Sequence, residues 1–213
     1  MLSSASRSRV QKCGLRKIVR YACPMILIIY AHPYPQRSRA GRALLEAVRD
    51  LPDLEVRSLY DLYPDFDIDV QAEQAALVRA DLVVWMHPIY WYSVPAMLKY
   101  WFDVVLQRGW AYGEGGDSLQ GKHCLWVATT GGRESAFSED GVHQLPFEDF
   151  VAPIRQTARF CGMEWERPIT LHGAHLISEP EIAAAALALR DRLSNWIPDS
   201  PMTKEIRRPN DFE

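Results

Sequence analysis

Three short segments of the chain combine residue types that could bind a ligand. In the first, the aromatic run YWY (residues 90–92) stands between Pro88 and Pro95 and follows the apolar run DLVVWM. Prolines at this spacing rule out a helix and disfavour a central strand, so HPIYWYSVP is predicted to be a loop. Three adjacent rings in a loop favour stacking against another flat group over exposure to water.

The other two segments offer backbone amides. In AHPYPQRSRAG (residues 31–41), Ser38-Arg39-Ala40-Gly41 stands at a predicted helix start, where free amides and the helix dipole attract an anion. The Ser38 hydroxyl could donate to that anion or serve only as a helix cap, and the sequence favours neither role. In TTGGRES (residues 129–135), Gly131 and Gly132 allow a flat ring to approach the backbone closely.

An alternating series of strands and helices must position these segments. The apolar runs 25–31 and 81–86 are typical of strands buried on both faces. Further strands are predicted at 54–60, 123–130 and, more weakly, 164–172. Helices are predicted at 37–50, 69–80, 96–106, 146–162 and after the capping box at Ser178. Five strands alternating with five helices predict an α/β fold, a doubly wound five-stranded parallel sheet with helices on both faces.

In such a sheet, ligands bind outside the carboxyl ends of the strands, where the strand order reverses. The three segments follow the first, third and fourth predicted strands, so they meet at that edge. The first segment lacks the G-x-G-x-x-G fingerprint, which argues against a Rossmann dinucleotide site. Phosphate-binding amides, an aromatic wall and a glycine turn together predict a site for flavin mononucleotide (FMN), whose ring is flat and electron-poor.

Composition excludes several classes of protein. A chain of 213 residues that is 48% hydrophobic can bury one sizeable core, and its net charge of −3 gives no sign of nucleic-acid binding. No apolar run reaches the roughly 18 residues that a membrane span needs. The four cysteines have no metal-binding spacing, so we expect no metal, and reduced thiols in a cytoplasmic protein.

The two ends differ from the centre of the chain. Residues 1–24 carry six basic side chains and no acid, which leaves −3 minus 6, or −9, on the remainder. This leader is either a transit peptide or a disordered, upstream stretch before a true start at Met25. We expect one domain over residues 25–197, followed by a loose polar tail over 198–213.

The chain resembles the flavodoxin-like NAD(P)H:quinone oxidoreductases in five segments: MILIIYAHPYPQRS, SLYDLYPDFDID, HPIYWYSVPAMLKYWFD, GWAYGEGG and TTGGRES. Within that family the likeness is greatest to ancillary proteins of glutathione-regulated potassium efflux. The resemblance covers residues 25–197. It implies an FMN-bound homodimer that reduces quinones with two electrons from NAD(P)H. It also implies a potassium-efflux transporter as partner, and a cytoplasmic location or a peripheral one on the inner face of the cell membrane.

The resemblance also assigns residues to the cofactor. Carried onto matching positions, the flavin contacts are His32, Ser38, Arg39, Ala40, Gly41, Ile89, Tyr90, Trp91, Tyr92, Thr129, Thr130, Gly131 and Gly132. The backbone amides of Gly131 and Gly132 are candidates for stabilising negative charge that develops on the flavin during catalysis.

Two positions depart from the family pattern. Gly41 stands where the family often has asparagine, so a side-chain contact is lost. Phe137 replaces a tyrosine that acts, together with a histidine matched by His143, in charge relocation on the flavin. A phenyl ring has no proton to donate. His143 is therefore either the remaining proton donor or an ordinary solvated loop residue.

Two other functions remain open from the sequence. One is a regulatory subunit of a membrane potassium/proton antiporter, in which redox activity is secondary. The other is a flavodoxin-type electron carrier, although carriers seldom need an aromatic substrate pocket.

Overall fold

Parallel strands form one sheet in the computed structural model, which describes residues 24–198. The strands are β1 (Ile26–Tyr30), β2 (Leu54–Ser58), β3 (Leu82–Pro88), β4 (His123–Thr129), β5 (Glu164–Trp165) and β6 (Ile169–Leu171). Their order is β2-β1-β3-β4-β5, and β6 also pairs with β4. The predicted leader and tail lie outside the described residues, apart from Pro24 and Pro198.

The strand order confirms the predicted doubly wound sheet. The chain moves outward from β1 to β2, then returns to β3 on the other side of β1, where Ile28 pairs with both Val56 and Val84. The connection between the strands therefore reverses direction between β1 and β3. The predicted fifth strand at 164–172 is two short strands. Pro168 lies between them, and a proline has no amide to donate to a strand ladder.

Helices cover both faces of the sheet. They are α1 (Arg39–Val48), α2 (Leu59–Leu62), α3 (Val70–Arg79), α4 (Ala96–Val105), α5 (Glu148–Phe160) and α6 (Glu179–Ser194), with 3-10 turns at Pro35–Arg37 and Glu134–Ala136. The capping box predicted at Ser178 is present, because its groups and those of Glu181 bond reciprocally. The single-turn helix α2 was not predicted. It takes up residues 59 and 60, which the pattern assigned to the second strand.

The core consists of two layers, one on each face of the sheet. Leu27 and Ile29 of β1 pack on the side that holds Trp101 of α4, whereas Ile26 and Ile28 pack on the side that holds helices α1 and α6. This alternation explains why β1 and β3 are apolar at every position. Cys124 and Cys161 are buried, and neither forms a disulfide with another residue of the described part of the chain. Within residues 24–198, no helix combines the length and apolar character required to cross a bilayer.

Candidate functional site

A cavity of about 310 Å³ opens at the carboxyl edge of the sheet. Its walls come from the loops that follow β1, β3, β4 and β6. The lining residues are His32, Tyr34, Arg37, Ser38, Arg39, Ala40, Pro88, Ile89, Tyr90, Thr129, Thr130, Gly131, Ala174 and His175. The structure thus brings the three predicted segments together around one space.

A larger and more open groove of about 710 Å³ runs along α1 and the edge strand β2. Its charged side chains largely pair with one another, as Arg39 does with Glu179 and Arg49 with Glu46. Charges paired in this way are already satisfied, so they make a weaker case for a ligand. We therefore place the candidate site in the smaller cavity, where the donors described below are free.

The first loop ends at the start of α1. The Ser38 hydroxyl accepts a hydrogen bond from the Gly41 amide at 3.1 Å, so the helix-cap role of Ser38 is confirmed. The amides of Arg39 and Ala40, which precede any intrahelical partner, donate to no other described residue. Two free amides at a helix start can bind an anion such as a phosphate.

Gly41 packs too tightly for a side chain. A Cβ atom at this position would lie 2.5 Å from Ser38 Oγ and 2.8 Å from Tyr30 Oη, so asparagine would require a shift. The Tyr30 hydroxyl is buried and forms no hydrogen bond of normal geometry with a described residue. Burial raises the pKa of Tyr30 to about 12, even though the nearby Ser38 hydroxyl acts in the opposite direction.

His32 lies in the cavity wall as a neutral donor. Its Nδ1 accepts a hydrogen bond from the Tyr34 amide at 3.0 Å, which places the ring proton on Nε2. Burial, and to a smaller extent the nearby His175, lower the pKa of His32. Both effects favour the uncharged ring.

The aromatic loop after β3 is a tight two-residue hairpin. Tyr90 and Ser93 exchange both backbone hydrogen bonds at 3.0 and 3.1 Å, while Trp91 (φ +48°) and Tyr92 (φ +62°) occupy the left-handed region. That region suits asparagine and glycine in such turns, and it costs other residues roughly 1–2 kcal/mol each. The amides of Trp91 and Tyr92 donate to no described residue. Strain of this kind is common at functional sites.

The predicted aromatic wall is only partly present. Ile89 and Tyr90 line the cavity, whereas Trp91 is 92% exposed and lies outside the lining. The Tyr92 ring packs instead against Phe150, with ring centroids 5.5 Å apart. Beneath the hairpin, the buried His87 accepts a hydrogen bond from Trp126 Nε1 at 2.7 Å and contacts the Pro88 carbonyl. Burial lowers the pKa of His87 to about 4.

The turn after β4 is fixed by its own hydrogen bonds. The Thr130 hydroxyl donates to the Gly132 carbonyl at 2.7 Å, so it accepts from Nδ1 of His172 at 3.1 Å. The Thr130 hydroxyl therefore already donates one hydrogen bond and accepts another within the protein. The amides of Gly131 and Gly132, by contrast, donate to no described residue. A Cβ atom on Gly131 would meet nothing closer than 3.7 Å, so the protein leaves room there.

His143 lies behind this turn rather than in the cavity wall. Its ring stacks on Phe137 with centroids 4.5 Å apart, and its Nδ1 is buried without a hydrogen-bond partner among the described residues. Its Nε2 would lie 3.4 Å from a Cβ atom on Gly132. His143 therefore contacts the glycine turn closely, and Phe137 occupies a buried position between aromatic rings.

Free donors on three loops fit the predicted cofactor. Amides that donate to no residue in the range 24–198 occur in pairs on each loop: Arg39 and Ala40, Trp91 and Tyr92, Gly131 and Gly132. A phosphate suits the first pair, and the polar edge of a flavin ring needs donors such as the other two pairs supply. The residues present therefore fit FMN.

The sequence prediction missed part of the cavity wall. It did not include Tyr34, Arg37, Pro88, Ala174 or His175. The segment GAHL (residues 173–176) follows the last strand, so the rule used for the other loops applied to it as well. The apolar pattern of the predicted strand at 164–172 is weak, so the loop after it was not recognised as part of the site.

Comparisons with known proteins agree with this architecture. A family model described as having a flavodoxin-like fold matches residues 24–193. A chain of the thermophilic tryptophan halogenase from Streptomycin violaceusniger is 33% identical, with a TM-score of 0.77 over 80% of this chain and 99% of its own. General stress protein 14 of Treponema denticola, solved with FMN, is 34% identical, with a TM-score of 0.74 over 80% and 98% of the two chains.

A third solved structure carries a reductase name. The NADPH-quinone reductase of P. pentosaceus is 26% identical, with a TM-score of 0.73 over 81% of this chain and 99% of its own. Because a halogenase and a quinone reductase stand among these neighbours, the similarity shows a shared fold rather than one shared reaction. The family model covers most of the sequence, and the protein therefore belongs to the family of proteins with a flavodoxin-like fold.

Proposed function

We propose that this protein is an FMN-dependent oxidoreductase that reduces quinones with two electrons from NAD(P)H. The observation that carries the proposal is a set of backbone amides on three loops that each contribute to the wall of one cavity; these amides donate to no residue that the structure describes. The similarity to an FMN-bound protein and to an NADPH-quinone reductase supports the cofactor, the donor and the substrate class.

Different residues bind different parts of the cofactor. The amides of Arg39 and Ala40 bind the phosphate, together with the Nε2 proton of His32. Ile89 and Tyr90 form one wall of the ring pocket. The amides of Trp91 and Tyr92 are the hydrogen-bond donors of the hairpin.

The protein also stabilises charge and controls protons. FMN, when bound, would supply the redox chemistry of hydride transfer from NAD(P)H and two-electron reduction of a quinone. The free amides of Gly131 and Gly132 stabilise the negative charge that develops at the adjacent edge of the ring. His143, in contact with Gly132 and stacked on Phe137, is the proton donor in this proposal, since Phe137 lacks a hydroxyl.

Turnover with a soluble quinone tests the proposal. Purified protein supplied with FMN and NADPH or NADH is expected to oxidise many equivalents of nicotinamide per flavin when the quinone is present. An electron carrier would oxidise about one equivalent and then stop. Single turnover in the presence of excess quinone would therefore overturn the enzyme and favour the carrier.

The proposal includes two partners that rest on the sequence resemblance. One is a second copy of the chain, because the resembled family forms homodimers. The other is a potassium-efflux transporter, as in KefF, the ancillary protein of glutathione-regulated efflux systems, which would place the protein at the inner face of the cell membrane. Sedimentation of the purified protein tests the first, and co-purification with the transporter tests the second.

A further inference from the structure

His175 occupies a position in the cavity that the proposed chemistry does not yet use. It lies on the loop after β6 and lines the same space as Ser38, Arg39 and Ala40 at the start of α1. Its Cδ2 atom would be 3.7 Å from a Cβ atom on Gly131. The imidazole is exposed and forms no hydrogen bond with another described residue.

The loop that carries His175 is tied to both sides of the cavity. The amides of Gly173 and Ala174 donate to the carbonyls of Gly132 and Thr130, each at 2.8 Å. From the other side, the Arg39 guanidinium reaches the Ile177 carbonyl at 3.4 Å. The backbone of His175 is therefore held between the glycine turn and the start of α1, which keeps this residue beside the cavity.

The two imidazoles of the cavity differ in their freedom to take up a proton. Protonation of His32 would break the hydrogen bond from the Tyr34 amide to Nδ1, and burial lowers the pKa of His32 further. Neither ring nitrogen of His175 has a hydrogen-bond partner among residues 24–198. An anion that enters the cavity can therefore recruit a proton onto His175 more readily than onto His32.

Charged and titratable groups surround His175. The titratable and charged groups on the neighbouring elements are His32, Tyr34, Arg37, Arg39, Tyr90, Arg133, His172, Glu179 and Glu181. Glu179 pairs with Arg39, and Glu181 is held by Ser178. Arg37 and Arg133 form no ion pair with a described residue, and Glu134 on the 3-10 turn adds a negative charge. A doubly charged phosphate beside the His175 ring would favour its imidazolium form.

We propose that His175 binds the phosphate monoester of FMN and takes up a proton as it does so, so that cofactor affinity falls as the pH rises. This inference rests on the proposed function, because it requires FMN in the cavity. It adds a pH dependence of cofactor loading and assigns it to one residue outside the family resemblance.

Flavin fluorescence titrations of the flavin-free protein test the inference between pH 7 and 8.5, where the phosphate of FMN is already doubly charged. The Kd for FMN is expected to rise on the order of fivefold across this range, as for linkage to one histidine proton. Riboflavin has no phosphate, so its Kd should stay constant. Calorimetry in two buffers of different ionisation enthalpy should show uptake of a fraction of a proton with FMN and none with riboflavin.

Three variants assign the effect to the side chain. His175→Ala should bind FMN at pH 7 as weakly as the wild type does at pH 8.5, with no pH dependence. His175→Lys should bind tightly across the range, because lysine keeps its charge. Leu176→Ala, at the exposed next residue, is the control and should keep the wild-type profile.

The outcomes separate the inference from the function. A wild-type FMN profile in His175→Ala, or an equal pH dependence with riboflavin, would overturn the role of His175 while leaving FMN binding intact. Failure of both flavins to bind at any pH would overturn the proposed function, and the inference with it.

Discussion

The two edges of the sheet differ in whether their polar groups have hydrogen-bond partners within the protein. At the amino edge, Glu166 accepts a hydrogen bond from Trp196 at 3.1 Å, contacts His123 Nδ1 at 2.9 Å and pairs with Arg192. Nearby, the Lys122 ammonium donates to two carbonyls at the end of α3, at 2.6 and 2.8 Å. Each polar side chain in this group has a protein partner, so the edge is a structural clamp that holds α6 to the sheet.

The carboxyl edge leaves polar groups open. Six amides on three loops donate to no described residue, and Nδ1 of His143 is buried without a partner. Two non-glycine residues of the hairpin are also held in the left-handed region. Buried or strained groups without compensation reduce stability. The open amides at this edge are the feature on which the proposed ligand site rests.

The largest effect we predict concerns His87. This residue lies beneath the hairpin at the carboxyl edge, and both of its ring nitrogens have a hydrogen-bond partner. Its pKa is lowered to about 4, so the unfolded chain binds a proton that the folded chain excludes. Stability is therefore full above about pH 6.5 and falls by about 3 kcal/mol as the pH drops toward 4. Chemical denaturation from pH 7 to 4 measures this.

His87→Gln separates this contribution from that of the carboxylates, which also titrate at low pH. The variant should be less stable than the wild type at pH 7, and the difference should shrink as the pH approaches 4. A difference that is constant with pH would remove His87 as the source.

The next effect concerns the proton donor proposed at the open edge. His143→Ala is expected to lower quinone turnover by about 10²-fold or more at saturating NADPH, the lower end for loss of a general acid. Phe137→Tyr should change turnover little, or raise it modestly if the new hydroxyl reaches the flavin. Unchanged turnover in His143→Ala would leave the backbone amides as the only stabilising groups.

At the amino edge, Glu166→Ala should cost about 2 kcal/mol of unfolding free energy, since it strips partners from His123, Arg192 and Trp196. The affinity of the folded protein for FMN should not change. Glu46→Ala removes an exposed pair with Arg49 and serves as the control, expected to stay within about 0.5 kcal/mol of wild type. Loss of FMN affinity in Glu166→Ala would contradict the assignment of a structural role to the amino edge and of ligand binding to the carboxyl edge.

Gly131→Val, at the carboxyl edge, is expected to have the opposite result and to change FMN affinity but not stability. A Cβ atom there meets no protein atom within 3.7 Å, so the flavin-free protein should keep its unfolding free energy. The added side chain projects from a residue that lines the cavity, and the Kd for FMN should rise about tenfold or more, about 1.4 kcal/mol. Ser135→Val, on the same loop but outside the cavity lining, is the control. Wild-type flavin content in Gly131→Val would show that the ring lies elsewhere.

Much of the fold could be read from the sequence because its signals are local. The apolar runs of β1 and β3, the caps at Ser38 and Ser178 and the alternation of elements were sufficient for the doubly wound sheet. The break at Pro168 and the short helix α2 were missed, because both interrupt a pattern that otherwise continues.

The site was predictable to the level of loops but not of side chains. That three segments meet at one edge follows from parallel topology alone. Sequence could not show that a left-handed turn directs Trp91 away from the cavity, since two bulky residues in that conformation contradict ordinary turn preferences. Nor could it place His175, whose role depends on two long-range backbone bonds from its loop to the glycine turn.

The central claim is that the carboxyl edge is a site for FMN, and the most direct test is the absorption spectrum of the purified protein together with identification of the flavin it releases. The account predicts a yellow protein that releases about one FMN per chain on denaturation, or that takes up one FMN per chain when prepared without it. A colourless protein that cannot be reconstituted with FMN, or one that releases stoichiometric FAD, would contradict the account.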